Sequence, residues 1–342
     1  MSGETGEEPD PDPGETGNDE AETGNDETDT GESDTGELPK LDTAPPDGES
    51  MGCNVDFLFV IDNSVSMGDN QAALLSSFPG FMDTIQDTLA ANDDYHIMVV
   101  DTDADTRCSP SGCANPDSWA LDLCFGAENG DACDVELDEC DVTMGAGVVH
   151  PVGASATNEL CEIAGDNRYL TGEEDDLGEA FACIAQVGEA GWKEERPMDA
   201  MVAAVAEDIN GPGGCNDGFL REDAILVVTF ISDDPNYEDT GNPATWKQAL
   251  LDAKGGDEDS IVVLGLVPNP PDCANGSGGG FTCMNGMCVP NGDKEQGEHW
   301  REFVESFGEQ GLWAEVCEDS YTPFFDSAVD LIDLSCDLNP AE

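Results

Sequence analysis

The chain has 342 residues, enough for one large domain or two ordinary ones. Ten Lys and Arg stand against 77 Asp and Glu, a formal net charge of −67, which excludes nucleic acid as a partner because phosphate binding needs a cationic surface. An anionic lipid surface is disfavoured on the same ground, and the longest apolar run, Ala224 to Ile231 with one Thr, falls far short of the roughly 18 residues of a transmembrane segment.

Residues 1–50 hold 18 acidic residues and one Lys, so by subtraction the remaining 292 residues keep about −50 of the charge. The hexapeptide ETGNDE begins at Glu15 and again at Glu22, and this stretch has no aromatic side chain and almost no aliphatic one. Nothing there repays the entropy of ordering the chain, so a disordered, self-repelling acidic stalk is expected. Diffuse, low-affinity calcium binding by its carboxylates is the functional alternative to a plain spacer.

After Cys53 the pattern changes, and residues 51–340 read as one α/β domain. VDFLFVID (Val55 to Asp62) is an apolar, β-rich run of the kind buried on both faces. Leu74, Leu75, Phe78, Phe81, Met82, Ile85 and Leu89 then recur at helical spacing, with Pro79 expected to kink or split the helix. The strand Tyr95 to Asp103 completes a β-α-β opening. From about 102 to 175 the chain becomes rich in Cys, Gly and Asp, which suggests a disulfide-stapled insertion.

Regular structure resumes with a helix at Leu177 to Val187, a Gly-rich loop at Gly188 to Gly191, and a helix from Pro197 to Ile209. The strongest strand, AILVVTFISDD, follows. Beyond it come a helix from Pro243, the strand Ser260 to Val267, a second Cys-rich insertion at about 268–293, a helix at Lys294 to Phe307, a short strand Gly311 to Cys317 and a closing helix at Phe324 to Leu334. Continuous apolar strands alternating with amphipathic helices predict a doubly wound, mostly parallel sheet.

The 14 cysteines are scattered singly among loop residues, which suits disulfides formed in an oxidising compartment, with bridges inside the insertions expected to be local. A zinc site is the weaker reading, because no CxxC occurs and His96, His150 and His299 lack a paired spacing.

In a doubly wound sheet, ligands gather at the carboxyl ends of strands. Asp62-Asn63-Ser64-Val65-Ser66 follows the first strand and offers a carboxylate and two hydroxyls at alternate positions, which suits a hard, oxygen-preferring divalent cation. Ser232-Asp233-Asp234 follows the strongest strand and brings a second carboxylate to the same edge. On these residues the chain resembles a von Willebrand factor type A domain over roughly Cys53 to Cys336. Its metal-ion-dependent adhesion site has the form Asp-x-Ser-x-Ser, met by Asp62, Ser64 and Ser66, with a later Asp, met by Asp233, and a Thr on a second loop. The closest likeness is to Cys-containing A domains of secreted bacterial lipoproteins.

The second loop departs from that pattern. EAGWKEERPMDAM has no Ser or Thr, and the position of the family's Thr falls on Glu195. Glu195 is expected to supply a further carboxylate, raising cation affinity and relaxing a demand for Mg²⁺ toward Ca²⁺ or Mn²⁺. The bland alternative is a first-turn helix Glu favoured by the macrodipole.

Other motifs carry less. The run Asp101 to Asp105 opens like a calcium loop, but Thr106 and Gly112 stand where Gly and Glu are required, so a solvated acidic loop is expected. Ser155 in GASAT misses the nucleophile-elbow pattern, and no nucleophile, base and orienter can be assembled from the motifs. The expectation is therefore not an enzyme but a module binding one divalent cation, which accepts an acidic residue from a protein ligand. A structural scaffold stabilised by the cation and disulfides is the competing class. Met1 opens onto SGETGEEPD without an export signal, so a mature secreted or surface form is expected, and a lipid anchor at the N-terminus is compatible with the sequence.

Overall fold

A computed structural model of the chain describes residues 53–88, 94–103, 108–114, 123–124, 132–192, 195–233, 239–269 and 297–339. The expected stalk, and the second insertion apart from Pro268 and Asn269, lie outside them. The described residues belong to one unit of the chain, residues 48–342.

Each run read as a strand is one: β1 (Asn54–Ile61), β2 (Tyr95–Asp101), β3 (Ala224–Ile231), β4 (Ile261–Val267) and β5 (Gly311–Glu315). They form a five-stranded sheet in the order β2-β1-β3-β4-β5, parallel at every pairing. In chain order the α-helices are α1 (Gly68–Thr88), α2 (Pro110–Ala114), α3 (Leu177–Ala185), α4 (Pro197–Ala204), α5 (Glu207–Asn210), α6 (Pro243–Ala253), α7 (Glu298–Glu305) and α8 (Thr322–Leu338).

Side chains alternate across a strand, so a strand that is apolar at every position feeds two cores. From β1, Phe57, Phe59 and Ile61 pack with Phe78 and Phe81 of α1, Phe181 of α3 and Phe325 of α8. Leu58 and Val60 face the other way, into a core with Met198 of α4, Trp246 of α6, and Trp300 and Phe303 of α7. The sheet is thus sandwiched between two helical layers. Pro79 does not split its helix: α1 runs through it. Burial of Leu74, Phe78, Phe81, Met82 and Ile85 outweighs the single backbone bond that the proline removes. The helix expected to reach Ile209 breaks after Ala204 and resumes at Glu207, and the Asn210 side chain donates to the Ala204 carbonyl (2.7 Å) at the break.

Among the described residues there are five disulfides. Cys108–Cys124, Cys113–Cys133 and Cys161–Cys183 are local, with separations of 16, 20 and 22 residues. Cys140–Cys215 instead ties the first insertion to the loop before β3 across 75 residues, and Cys53–Cys336 joins the start of β1 to α8 across 283. In the chain-entropy picture a closure that long contributes roughly 5 to 6 kcal/mol. Cys317 is disulfide-bonded as well. Bridges of this number are the chemistry of an oxidising environment. Among the described residues no helix is long and apolar enough to cross a membrane.

Candidate metal centre

The register of the sheet builds the site. Ile61 lies opposite Asp101 of β2 on one side and Ile231 of β3 on the other, so the next residues, Asp62, Thr102 and Ser232, emerge together at the carboxyl edge. This is where the strand order reverses direction, the place at which doubly wound sheets leave a crevice. The Asp62 N–H still donates to Ile231 O at 3.0 Å, which fixes the departure of the loop from the sheet.

Four of the residues singled out from sequence join one hydrogen-bonded group. The Ser64 N–H donates to Asp62 Oδ1 at 2.7 Å, the hydroxyls of Ser64 and Ser66 lie 3.1 Å apart, and Ser66 Oγ donates to Asp233 Oδ1 at 2.8 Å. Ser232, named in the sequence only as a neighbour of Asp233, donates to Asp62 Oδ2 at 2.6 Å. Asp62 and Asp233 are fully buried, Ser64 nearly so, while Ser66 is half-buried and Val65 is 48% exposed, so the open face of the site is the Val65–Ser66 lip. Burial pushes the Asp62 carboxyl up from its ordinary value, and the bonds from Ser232 and Ser64 pull it back only in part.

Glu195, the fifth residue, comes to the same edge by another route. It precedes α4 by two residues and is 3% exposed. Its carboxylate accepts from the hydroxyl of Thr102, a fully buried residue that the reading by motif missed. A hydroxyl has one proton, and a carboxylate can only accept it. The same hydroxyl lies 3.3 Å from Asn63 Oδ1, a longer contact that competes for its one proton. Thr102 thus joins Asn63 of the β1 loop to Glu195. Glu195 is not a first-turn helix residue; the free N–H groups of α4 are met instead by Asp239, whose Oδ1 accepts from Met198 (2.9 Å) and Asp199 (3.2 Å). Trp300 Nε1 donates to Asp239 Oδ2 at 3.0 Å, and Asp199 in turn accepts from Thr240, so the loops bearing Glu195 and Asp233 are laced together. Burial raises the Asp239 carboxyl to about 7.

Two further contacts hold the β1 loop. Gln71 of α1 donates to Asp62 O at 3.1 Å and to Gly188 O at 2.7 Å, and Gly191 N donates to Asn63 O at 2.8 Å. The acidic run after β2 is not solvated over its described part. Thr102 and Asp103 are buried, and Asp103 Oδ2 accepts from Trp192 N at 2.8 Å, so its charge serves the Gly-rich loop; Asp105 and Thr106 lie outside the described residues. Asp234 lies outside them too. Ser155 sits at φ 58° with its hydroxyl on the Glu189 carboxylate.

The donor set fits a small hard cation. Among the described residues no three His, Cys, Asp or Glu side chains come together, so a cation here would be held by two carboxylates with hydroxyls between them. Asp62 is a fully buried carboxylate with no basic side chain paired to it among the described residues, and buried charges are otherwise balanced by a partner or a metal. The chemistry that a divalent ion would supply is a residual positive charge at the lip, able to accept an anionic oxygen. No protein-family model matches the chain, and no curated protein sequence matches it.

Proposed function

We propose that the chain is a divalent-cation-dependent protein-binding module, resembling a von Willebrand factor type A domain, on a secreted or surface-anchored protein. The observation that supports this reading is the bonded group Asp62–Ser64–Ser66–Asp233 at the point where the strand order reverses. In this reading the two buried carboxylates neutralise a bound Mg²⁺, Ca²⁺ or Mn²⁺ and the serine hydroxyls add neutral oxygens. A partner's acidic residue then completes the shell over the exposed Val65–Ser66 lip. A second reading, a cation that only stabilises an extracellular scaffold, draws support from the disulfides among the described residues and from Glu195 as a reserve carboxylate at the same edge.

Calorimetric titration with Mg²⁺, Ca²⁺ and Mn²⁺ is the test, on the chain and on a form lacking residues 1–50 so that diffuse binding by the acidic segment does not mask the site. One saturable site is expected, abolished by Asp62→Ala; unchanged binding in that variant ends the proposal. Capture of a protein from culture medium or envelope that is lost with chelator supports the binding module, and capture insensitive to chelator supports the scaffold.

A further inference from the structure

We propose that Thr102 is a positioning residue of this site: its hydroxyl latches the Glu195 carboxylate away from Asp62 and Asp233 and thereby keeps the site open to a partner. This rests on the cation-binding reading above. Thr102 is fully buried and Glu195 is 3% exposed, so their hydrogen bond is shielded from water, where a bond to a charged group is strong. The Asn63 Oδ1 atom is a more distant acceptor, at 3.3 Å, so the hydroxyl proton goes mainly to Glu195. Strand register places Thr102 beside Asp62 without reference to Glu195, so the latch is anchored in the sheet rather than in the loop that it restrains.

The consequence is electrostatic. Two carboxylates just balance a divalent ion, and hydroxyl ligands leave it able to accept a partner's oxygen. A third carboxylate reaching the ion would bind it more tightly and close the site. Removing the Thr102 hydroxyl takes one strong hydrogen bond from the buried Glu195 carboxylate and shifts its balance toward the cation.

The experiment is calorimetric titration of the full chain with Mg²⁺ and with Ca²⁺, taking Asp62→Ala as the reference for diffuse binding. Thr102→Val should bind at least tenfold more tightly, about 1.4 kcal/mol. Thr102→Ser should restore the parent affinity, Glu195→Gln should lose less than tenfold, and Glu195→Gln combined with Thr102→Val should remove the gain. Affinity in Thr102→Val that is unchanged or weaker overturns the latch. So does a tenfold loss in Glu195→Gln, which would make Glu195 already a ligand; that arm decides the matter should Thr102→Val fail to fold. If the unsubstituted chain and Asp62→Ala titrate identically, the cation-site reading itself falls, and the latch falls with it.

Discussion

A methyl group added at Gly191 would sit 2.1 Å from Asn63 Oδ1 and 2.6 Å from the Asn63 carbonyl oxygen, and that carbonyl already accepts from the Gly191 N–H. Both atoms belong to the loop that carries Asp62, Ser64 and Ser66, and the carbonyl is backbone, which cannot turn aside. Gly191→Ala should therefore displace the loop, with a stability loss of about 1 to 3 kcal/mol and weakened cation binding. Gly80 makes the control. It lies on the exposed side of α1, and a Cβ there meets nothing within 4 Å. Gly80→Ala should raise stability by about 1 kcal/mol and leave the cation titration unchanged. Urea unfolding and calorimetry on the pair check both statements; equal behaviour of the two variants would mean that the close packing of Gly191 on Asn63 does not govern the loop.

At the scale of elements, α4 begins on Pro197 and has no N-cap side chain of its own, so its first turn depends on Asp239, 41 residues ahead of Met198. Burial raises the Asp239 carboxyl from 3.8 to about 7 and that of Asp56, beside Arg221, to about 6. A raised acid binds its proton more firmly in the folded than in the unfolded chain. Its stabilisation is therefore complete below pH 4 and is lost as pH rises through the folded value. Unfolding free energy should fall between pH 4 and 7, and Asp239→Asn should flatten the fall by an amount on the order of 4 kcal/mol. Urea titrations across that range test it; identical slopes in parent and variant contradict it. What could be read from sequence follows the same division by scale. Val55 to Asp62 and AILVVTFISDD announce themselves by unbroken apolar character, and the meeting of Asp62, Ser64, Ser66 and Asp233 at one edge follows from the strand ends on which they stand. Thr102 stands at a strand end too, but only the pairing of β1 with β2 reveals that it adjoins Asp62, and pairing is not written in either strand alone. The Asp239 cap and the Cys140–Cys215 bridge were illegible for the same reason: each joins residues that no local pattern connects.

For the whole molecule the scarcity of cations has a structural answer. Arg221 spans Asp56 (2.7 Å), Asp94 (3.0 Å) and the Val55 carbonyl at the amino edge of the sheet. Lys254 donates to the carbonyls of Arg221, Glu222 and Ala224, Arg168 meets Asp141, and Lys247 meets Glu258. These basic groups are spent at internal joints, so the acidic surface is left to repel itself. Thermal unfolding should accordingly move several degrees upward as NaCl is raised from about 0.02 to about 0.5 M, and a downward shift would show that screened attraction outweighs repulsion. The bridge from Cys53 to Cys336 adds a mechanical property. It holds two points of the chain 283 residues apart in sequence at a Cα separation of 5.5 Å. Tension entering through the residues before Cys53 and leaving through those after Cys336 crosses one sulfur–sulfur bond and never reaches the sheet. The domain then behaves under traction as a fixed knot of almost no length. Once that bond is reduced, only the residues outside the remaining bridges can extend, at about 3.3 to 3.6 Å each.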